Sequence, residues 1–252
     1  MKSLPAFLFI CLMSLACLAG CGIPRPQTDP ALDAAALALA EGVRDLNRDI
    51  VTSKGLAHLR LETTSGIQTF QMAWAAQAPD RLRLTFTALA SPIETIVADG
   101  SQVILVSHTG RHRPHTTTSS DPDLEPYTGV PLKLSDLTRL LLGQIPVQRF
   151  SNAWFTSEDA TRVQLHRRFA SEFQELILAP NQPIETLLLK NRDDGIRYEI
   201  RYHAFNRIDN RQIPVNLTIA DGNGQQARIA IKRFWANVPV KESVFQLTPF
   251  GS

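Results

Sequence analysis

Beyond residue 21 the chain contains no cysteine. Cys11 and Cys17 lie among the first twenty residues, and Cys21 follows directly. A mature chain beginning at Cys21 therefore has no internal disulfide, and no thiol remains for metal binding or nucleophilic catalysis. An excess of charge of one sign is equally absent. There are 26 Lys+Arg and 24 Asp+Glu, and setting Lys2 aside leaves 25 against 24. With no basic cluster interleaved with aromatics, a nucleic-acid partner is not expected; Trp74, Trp154 and Trp235 are scattered. The sequence also lacks a Gly-x-Ser-x-Gly elbow, a phosphate-cradling glycine loop and a zinc-binding helix signature. Glu172 and Glu175 stand close together at the start of a strand and are expected to be exposed rather than a catalytic pair. His108, His112 and His115 fall within eight residues, but no carboxylate accompanies them before Asp121. They fit a solvated loop that titrates near neutral pH better than a metal site. An enzyme is not expected, nor a cofactor or metal.

What is present begins with Lys2 and the almost purely apolar run Leu4 to Leu18. That run is shorter than the roughly 20 residues of a membrane-spanning helix, so residues 1–20 are expected to be a secretory signal peptide. Its end, Leu18-Ala19-Gly20-Cys21, resembles the lipobox of bacterial lipoproteins, which implies cleavage before Cys21 and lipidation of its thiol. The alternative is an ordinary signal peptide with an incidental cysteine. Acyl chains contribute about 0.8 kcal/mol per buried CH₂, so several on one cysteine anchor a protein firmly. Enteric lipoproteins retained at the inner membrane carry aspartate after the cysteine. Gly22 stands there instead, and by that resemblance the destination is the periplasmic face of the outer membrane. Residues 21–30, with Pro24, Pro26 and Pro30, read as the lipidated N-terminus and an extended tether.

Residues 31–252 are expected to form one domain, mostly β with two helices. Asp29-Pro30 opens a helix as N-cap and first residue. Leu32, Ala36, Leu39, Val43, Leu46 and Ile50 give it one apolar stripe, and Arg44, Asp45, Asn47, Arg48 and Asp49 its wet side. The helix needs a greasy partner; a helix lying on the membrane surface is the rival reading, though the polar face is not notably basic. Phe70, Met72 and Trp74, then Leu82, Leu84 and Phe86, recur at every second residue around Ala78-Pro79-Asp80, the mark of two paired strands with one dry face. Further strands are expected at Leu59–Leu61, Ile93–Ala98, Val103–Val106, Val163–Leu165, Phe173–Leu178, Ile184–Leu189, Arg197–Phe205, Ile213–Ile219 and Ala227–Phe234. Asp99-Gly100 and Asp221-Gly222-Asn223-Gly224 mark hairpins. His108 to Val130 reads as a long polar connection. A second helix, between Pro131 and Gln144, is capped by Ser135, greasy along Leu134, Leu137, Leu140 and Leu141, and stopped by Gly143.

About eleven antiparallel strands must curl or close to protect their edges, so an unclosed antiparallel β-barrel with a helical lid is expected, with a β-sandwich and peripheral helix as the alternative. The order of motifs then resembles the outer-membrane lipoprotein receptor family LolB, of the LolA/LolB superfamily of lipoprotein-localisation proteins. The matching segments are Val43-Arg44-Asp45-Leu46-Asn47, Asp80-Arg81-Leu82-Arg83-Leu84, Ala88-Leu89-Ala90-Ser91, Val130-Pro131-Leu132 and Leu140-Leu141-Leu142-Gly143. The resemblance implies an apolar cavity that binds acyl chains, lined by Phe70, Met72, Trp74, Leu82, Leu84 and Phe86, beneath a lid carrying Leu134, Leu137, Leu140 and Leu141. It implies acylated lipoproteins as cargo, a periplasmic lipoprotein carrier as donor, and insertion of the cargo into the outer membrane by a monomeric receptor. Leu89 matches an exposed leucine in a membrane-insertion loop, but Ala88 and Ala90 stand where the family has proline and glycine. The ending Val244-Phe245-Gln246-Leu247-Thr248-Pro249 is closer to the carrier. A lipoprotein using the same barrel as a glycolipid-binding or complex-assembly module therefore stays open. So does the question of cavity or packed core, because an apolar stripe looks the same in either.

Overall fold

The alternation around Trp74 is part of one large sheet. The computed structural model describes residues 29–119, 121–128 and 131–247; the expected signal peptide, Cys21 and most of the expected tether lie outside the described residues. Thirteen strands follow in chain order: β1 (Thr52–Thr63), β2 (Gly66–Gln77), β3 (Arg81–Ala88), β4 (Ser91–Asp99), β5 (Gln102–Ser107), β6 (His115–Thr118), β7 (Asn152–Phe155), β8 (Arg162–His166), β9 (Glu172–Ala179), β10 (Gln182–Asn191), β11 (Ile196–Ile208), β12 (Arg211–Asp221) and β13 (Gln226–Ala236). The helices are α1 (Pro30–Arg44), α2 (Glu125–Thr128) and α3 (Leu134–Leu141), and a 3₁₀ turn spans Glu242–Phe245. Two strands exceed the eleven expected: β6, inside the polar connection, and β7.

All neighbours pair antiparallel, in the order β6-β5-β4-β3-β2-β1-β13-β12-β11-β10-β9-β8-β7. The edges β6 and β7 do not pair with each other, so the sheet is a barrel left unclosed. They are nevertheless consecutive in the chain. The segment between them runs from one edge to the other, and it is the segment that carries α3. Cross-strand register puts the apolar residues on one face: Leu59 opposite Phe70 and Ile229, Met72 opposite Phe86, Trp74 opposite Leu84, Leu84 opposite Ile96. The same face continues through Ile219 opposite Ala227 and Ile200, and Leu187 opposite Leu176. These residues belong to one continuous core with Ala36, Ala40 and Val43 of α1 and the leucines of α3.

Helix α1 starts as the sequence implied, with the Asp29 carboxylate accepting from the Ala31 N–H at 2.9 Å and Pro30 first in the helix. It ends at Arg44, so Leu46 and Ile50 follow it rather than extend its stripe, and Leu32 is exposed. Asn47, expected on the wet side, is buried with φ +58°. The cap of α3 also differs. Ser135 caps nothing: its N–H and its hydroxyl donate to the Asp121 carboxylate at 2.9 and 3.1 Å. An acid from the preceding loop thus supplies the anion that a helix N-terminus favours. Glu175 is buried rather than exposed, held by Lys190 at 2.7 Å and Arg162 at 3.3 Å. Among the described residues no helix is long and apolar enough to cross a membrane.

Candidate functional site: a covered apolar face

Helix α3 lies against the inner face of the sheet and is buried almost all round. Leu134, Leu137, Leu140 and Leu141 are buried, as are Leu142, Asp136 and Thr138. Beneath it a cavity of about 30 Å³ remains, lined by Leu59, Met72, Leu84, Phe86, Leu132, Leu137, Ile219, Ala227 and Ile229. Of the six residues expected to line a cavity, Met72, Leu84 and Phe86 do so. Leu82 and Trp74 share the face but are buried in its packing, and Phe70 sits half-buried edge-on to Phe86, ring centroids 6.2 Å apart. Two larger hollows, of about 580 and 560 Å³, are open and lie elsewhere, around Asn181 and Asn206 and around Glu125 and Arg197. The greasy interior is therefore a nearly closed seam, far below the roughly 300–1,000 Å³ of a typical ligand pocket.

The C-terminal end of α3 is fastened to the sheet by polar groups that hydrophobic patterning does not reveal. Leu141 O accepts from the Ser53 hydroxyl at 2.6 Å and from the Trp74 indole N–H at 3.2 Å. Gly143, at φ +74°, ends the helix, and its carbonyl accepts from Asn47 Nδ2 at 2.6 Å, whose second hydrogen goes to Gln212 O at 2.7 Å. Gln144 Nε2 donates to Ile50 O at 2.9 Å. Leu141 O is one of the carbonyls that a helix C-terminus leaves unpaired, so its bonds satisfy a group that would otherwise be buried without a partner. Gly55 in mid-strand was the available sequence signal, since such a glycine marks a close approach.

Toward its N-terminal end the helix is held differently. Asp136 is buried, and the Tyr198 hydroxyl donates to its Oδ2 at 3.1 Å. Burial pushes the Asp136 carboxyl up to about 6, against the pull of the Tyr198 hydrogen bond. Nearby polar atoms are under-satisfied: Thr138 Oγ1 and Tyr202 Oη are buried with no hydrogen-bond partner among the described residues, which lowers the cost of separating this end.

Leu89 stands apart from the cavity. It is fully exposed at the tip of the β3–β4 hairpin, at φ +50°, with Ala90 at φ +65°. The two residues between paired Ala88 and Ser91 thus occupy a turn that asks for positive φ twice, normally met by Asn-Gly. With Ala88 and Ala90 on either side, the leucine is not retracted. The three histidines are dispersed onto separate partners: His108 meets Thr95 Oγ1 at 2.9 Å, His112 meets Glu94 Oε1 at 3.4 Å, and His115 meets Thr117 Oγ1 at 3.3 Å.

No protein-family model matches the sequence, and no curated protein matches it. Solved structures do. An outer membrane lipoprotein-sorting protein domain from Vibrio parahaemolyticus, so described, superposes with a TM-score of 0.61 at 10% identity over 84% of this chain and 96% of its own. The fold is LolA-like. A LolA superfamily protein from Nitrosomonas europaea gives 0.54 at 10% identity over 84% of this chain and 97% of its own. A DUF1329 family protein from Desulfovibrio piger gives 0.60 at 10% identity, covering 87% and 98%. At such identity the likeness concerns the fold alone.

Proposed function

We propose that this protein is an outer-membrane lipoprotein of the LolB type. Anchored through acylated Cys21, it accepts the acyl chains of lipoproteins from a periplasmic carrier under α3 and releases the cargo into the outer membrane. The observation that carries this reading is the apolar inner face, continuous across the sheet, covered by helices, the leucine-rich α3 and the small-residue face of α1, rather than by a second sheet. With α3 down, about 30 Å³ is free, so α3 acts as a lid that must lift for an acyl chain to enter. Its C-terminal bonds to Ser53, Trp74 and Asn47 serve as the pivot. Cargo leaves because the bilayer offers its chains a lower free energy than this shallow seam, a ligand moving only by its differential affinity. Leu89, displayed at a hairpin tip, is the contact that touches the membrane during release.

The test is Leu89→Glu in full-length protein. Delivery of acylated lipoproteins to the outer membrane should fail while acyl binding in solution persists. Unchanged delivery would overturn the receptor reading. The small volume under α3 favours one alternative, an envelope lipoprotein using the same barrel as a glycolipid-binding or assembly module; that reading predicts delivery indifferent to Leu89.

A further inference from the structure

A second apolar side chain is presented at the same end of the strands as Leu89. The register runs antiparallel from β3 through β2, β1, β13, β12, β11, β10 and β9 to β8. The β3–β4 tip therefore shares its end of the sheet with the β10–β11 turn and with the β8–β9 connection, residues 167–171. In that connection Phe169 is 87% exposed and sits at φ +62°, a backbone region costly for a bulky residue. The connection is nevertheless firmly built. The Arg168 N–H donates to Ser151 Oγ, Ala170 N–H to Arg167 O, and the Arg192 guanidinium donates twice to Ala170 O, at 3.0 and 3.2 Å. A parallel stack of Trp154, His166 and Phe173, centroids 4.4 and 5.0 Å apart, stiffens the strand ends from which it springs.

Around this ring the charge is positive. The Arg168 guanidinium lies 4.9 Å from the Phe169 centroid, and Arg167, Arg168 and Arg192 are exposed with no carboxylate in ion-pair range among the described residues. Of the neighbouring acids, Asp194 pairs with Lys190 at 3.1 Å and Glu172 with Arg197 at 2.8 Å, which leaves the exposed Asp193 beside Arg192 against three arginines. An aromatic ring held out by the backbone, flanked by arginines that have no carboxylate partner among the described residues, matches an apolar interior beneath anionic headgroups.

We propose that Arg167-Arg168-Phe169 is a membrane-docking tip that inserts Phe169 into a bilayer while Arg167, Arg168 and Arg192 bind anionic lipid headgroups, so that the protein seats on the membrane by the strand ends that also carry Leu89. The proposal deepens the membrane contact assigned to Leu89 but stands on separate residues. It is tested with the full mature chain carrying Cys21→Ala, co-sedimented with vesicles of phosphatidylcholine alone or with one-third phosphatidylglycerol. Wild type is expected to prefer the anionic vesicles and to lose that preference in high salt. Phe169→Ser should weaken binding roughly tenfold, the scale of burying one aromatic side chain, and Phe169→Leu should restore most of it. Arg167→Gln with Arg168→Gln should abolish the anionic preference. Phe169→Ser binding like wild type, or no anionic preference in wild type, would overturn the proposal. So would a Phe169→Ser defect seen only in transfer from a soluble carrier, which would make the tip a protein-docking surface. Unchanged delivery in Leu89→Glu together with lost vesicle binding in Phe169→Ser would overturn the receptor function and leave the docking tip standing.

Discussion

Trp74 lies across Gly55. The two are directly opposed in the β1–β2 pair, and a Cβ at position 55 would overlap the indole carbons Cη2 and Cζ2. The missing side chain lets the ring lie flat, and its N–H reaches Ser53 Oγ at 3.1 Å and Leu141 O at 3.2 Å. One glycine in the sheet thus sets where the covering helix is pinned.

Gly55→Ala should displace the indole. Overpacking of this kind costs about 1–3 kcal/mol, and the Trp74 contacts with Ser53 and Leu141 should go with it. Thermal denaturation and tryptophan emission check both. Trp74→Phe keeps an aromatic ring but removes the donor and part of the indole's volume, and should cost about 1–3 kcal/mol, while loosening the end of α3 and speeding uptake of a fluorescent acyl probe.

Asp136 links α3 to pH. Its carboxyl titrates near 3.8 when the chain is unfolded and at about 6 when folded, so the folded state holds the proton more tightly. The resulting stability is fully present below the unfolded value and is lost as pH rises through the folded one. About 3 kcal/mol is at stake over the whole window. Urea unfolding should therefore show stability from this group falling between pH 4 and 7, and Asp136→Asn, which keeps an acceptor for Tyr198, should flatten that slope. An unchanged slope would contradict the assignment.

Much of this architecture can be read in the residues, and what escapes has identifiable causes. Period-two runs such as Leu82-Arg83-Leu84-Thr85-Phe86 announce strands because one face is dry. His115–Thr118 has no such pattern; it is a strand because β5 offers an open edge to pair with, which is a tertiary fact. Asn152–Phe155 is likewise short, with Trp154 and Ala153 pointing to opposite faces. Helix α3 was legible from its leucines, but its cap was not, because Asp121 lies fourteen residues from Ser135 and meets it only in the fold. Asn47 reads as a wet helix residue until the chain turns at φ +58° and carries it inward. Phe169 gave no periodic signal, since an exposed residue in a connection belongs to no stripe.

The Leu89-Ala90 turn should trade stability for exposure of its leucine. Replacing the pair by Asn-Gly relieves two left-handed residues and should raise stability by about 1–2 kcal/mol. Delivery should fall at the same time, because the apolar tip is gone. Calorimetry and a delivery assay on the same variant check the pair of outcomes; a variant that is both more stable and fully active would remove the reason proposed for the strain.

The proposed function requires acyl chains to enter under α3. A photo-crosslinking residue at Met72, on the inner face beneath the helix, is incubated with carrier loaded with an acylated lipoprotein. Crosslinks from position 72 to the cargo's acyl chains, more abundant in Trp74→Phe, are the predicted result. A folded protein that delivers cargo yet never crosslinks from position 72 would show that the seam stays shut and that the barrel works by its surface alone.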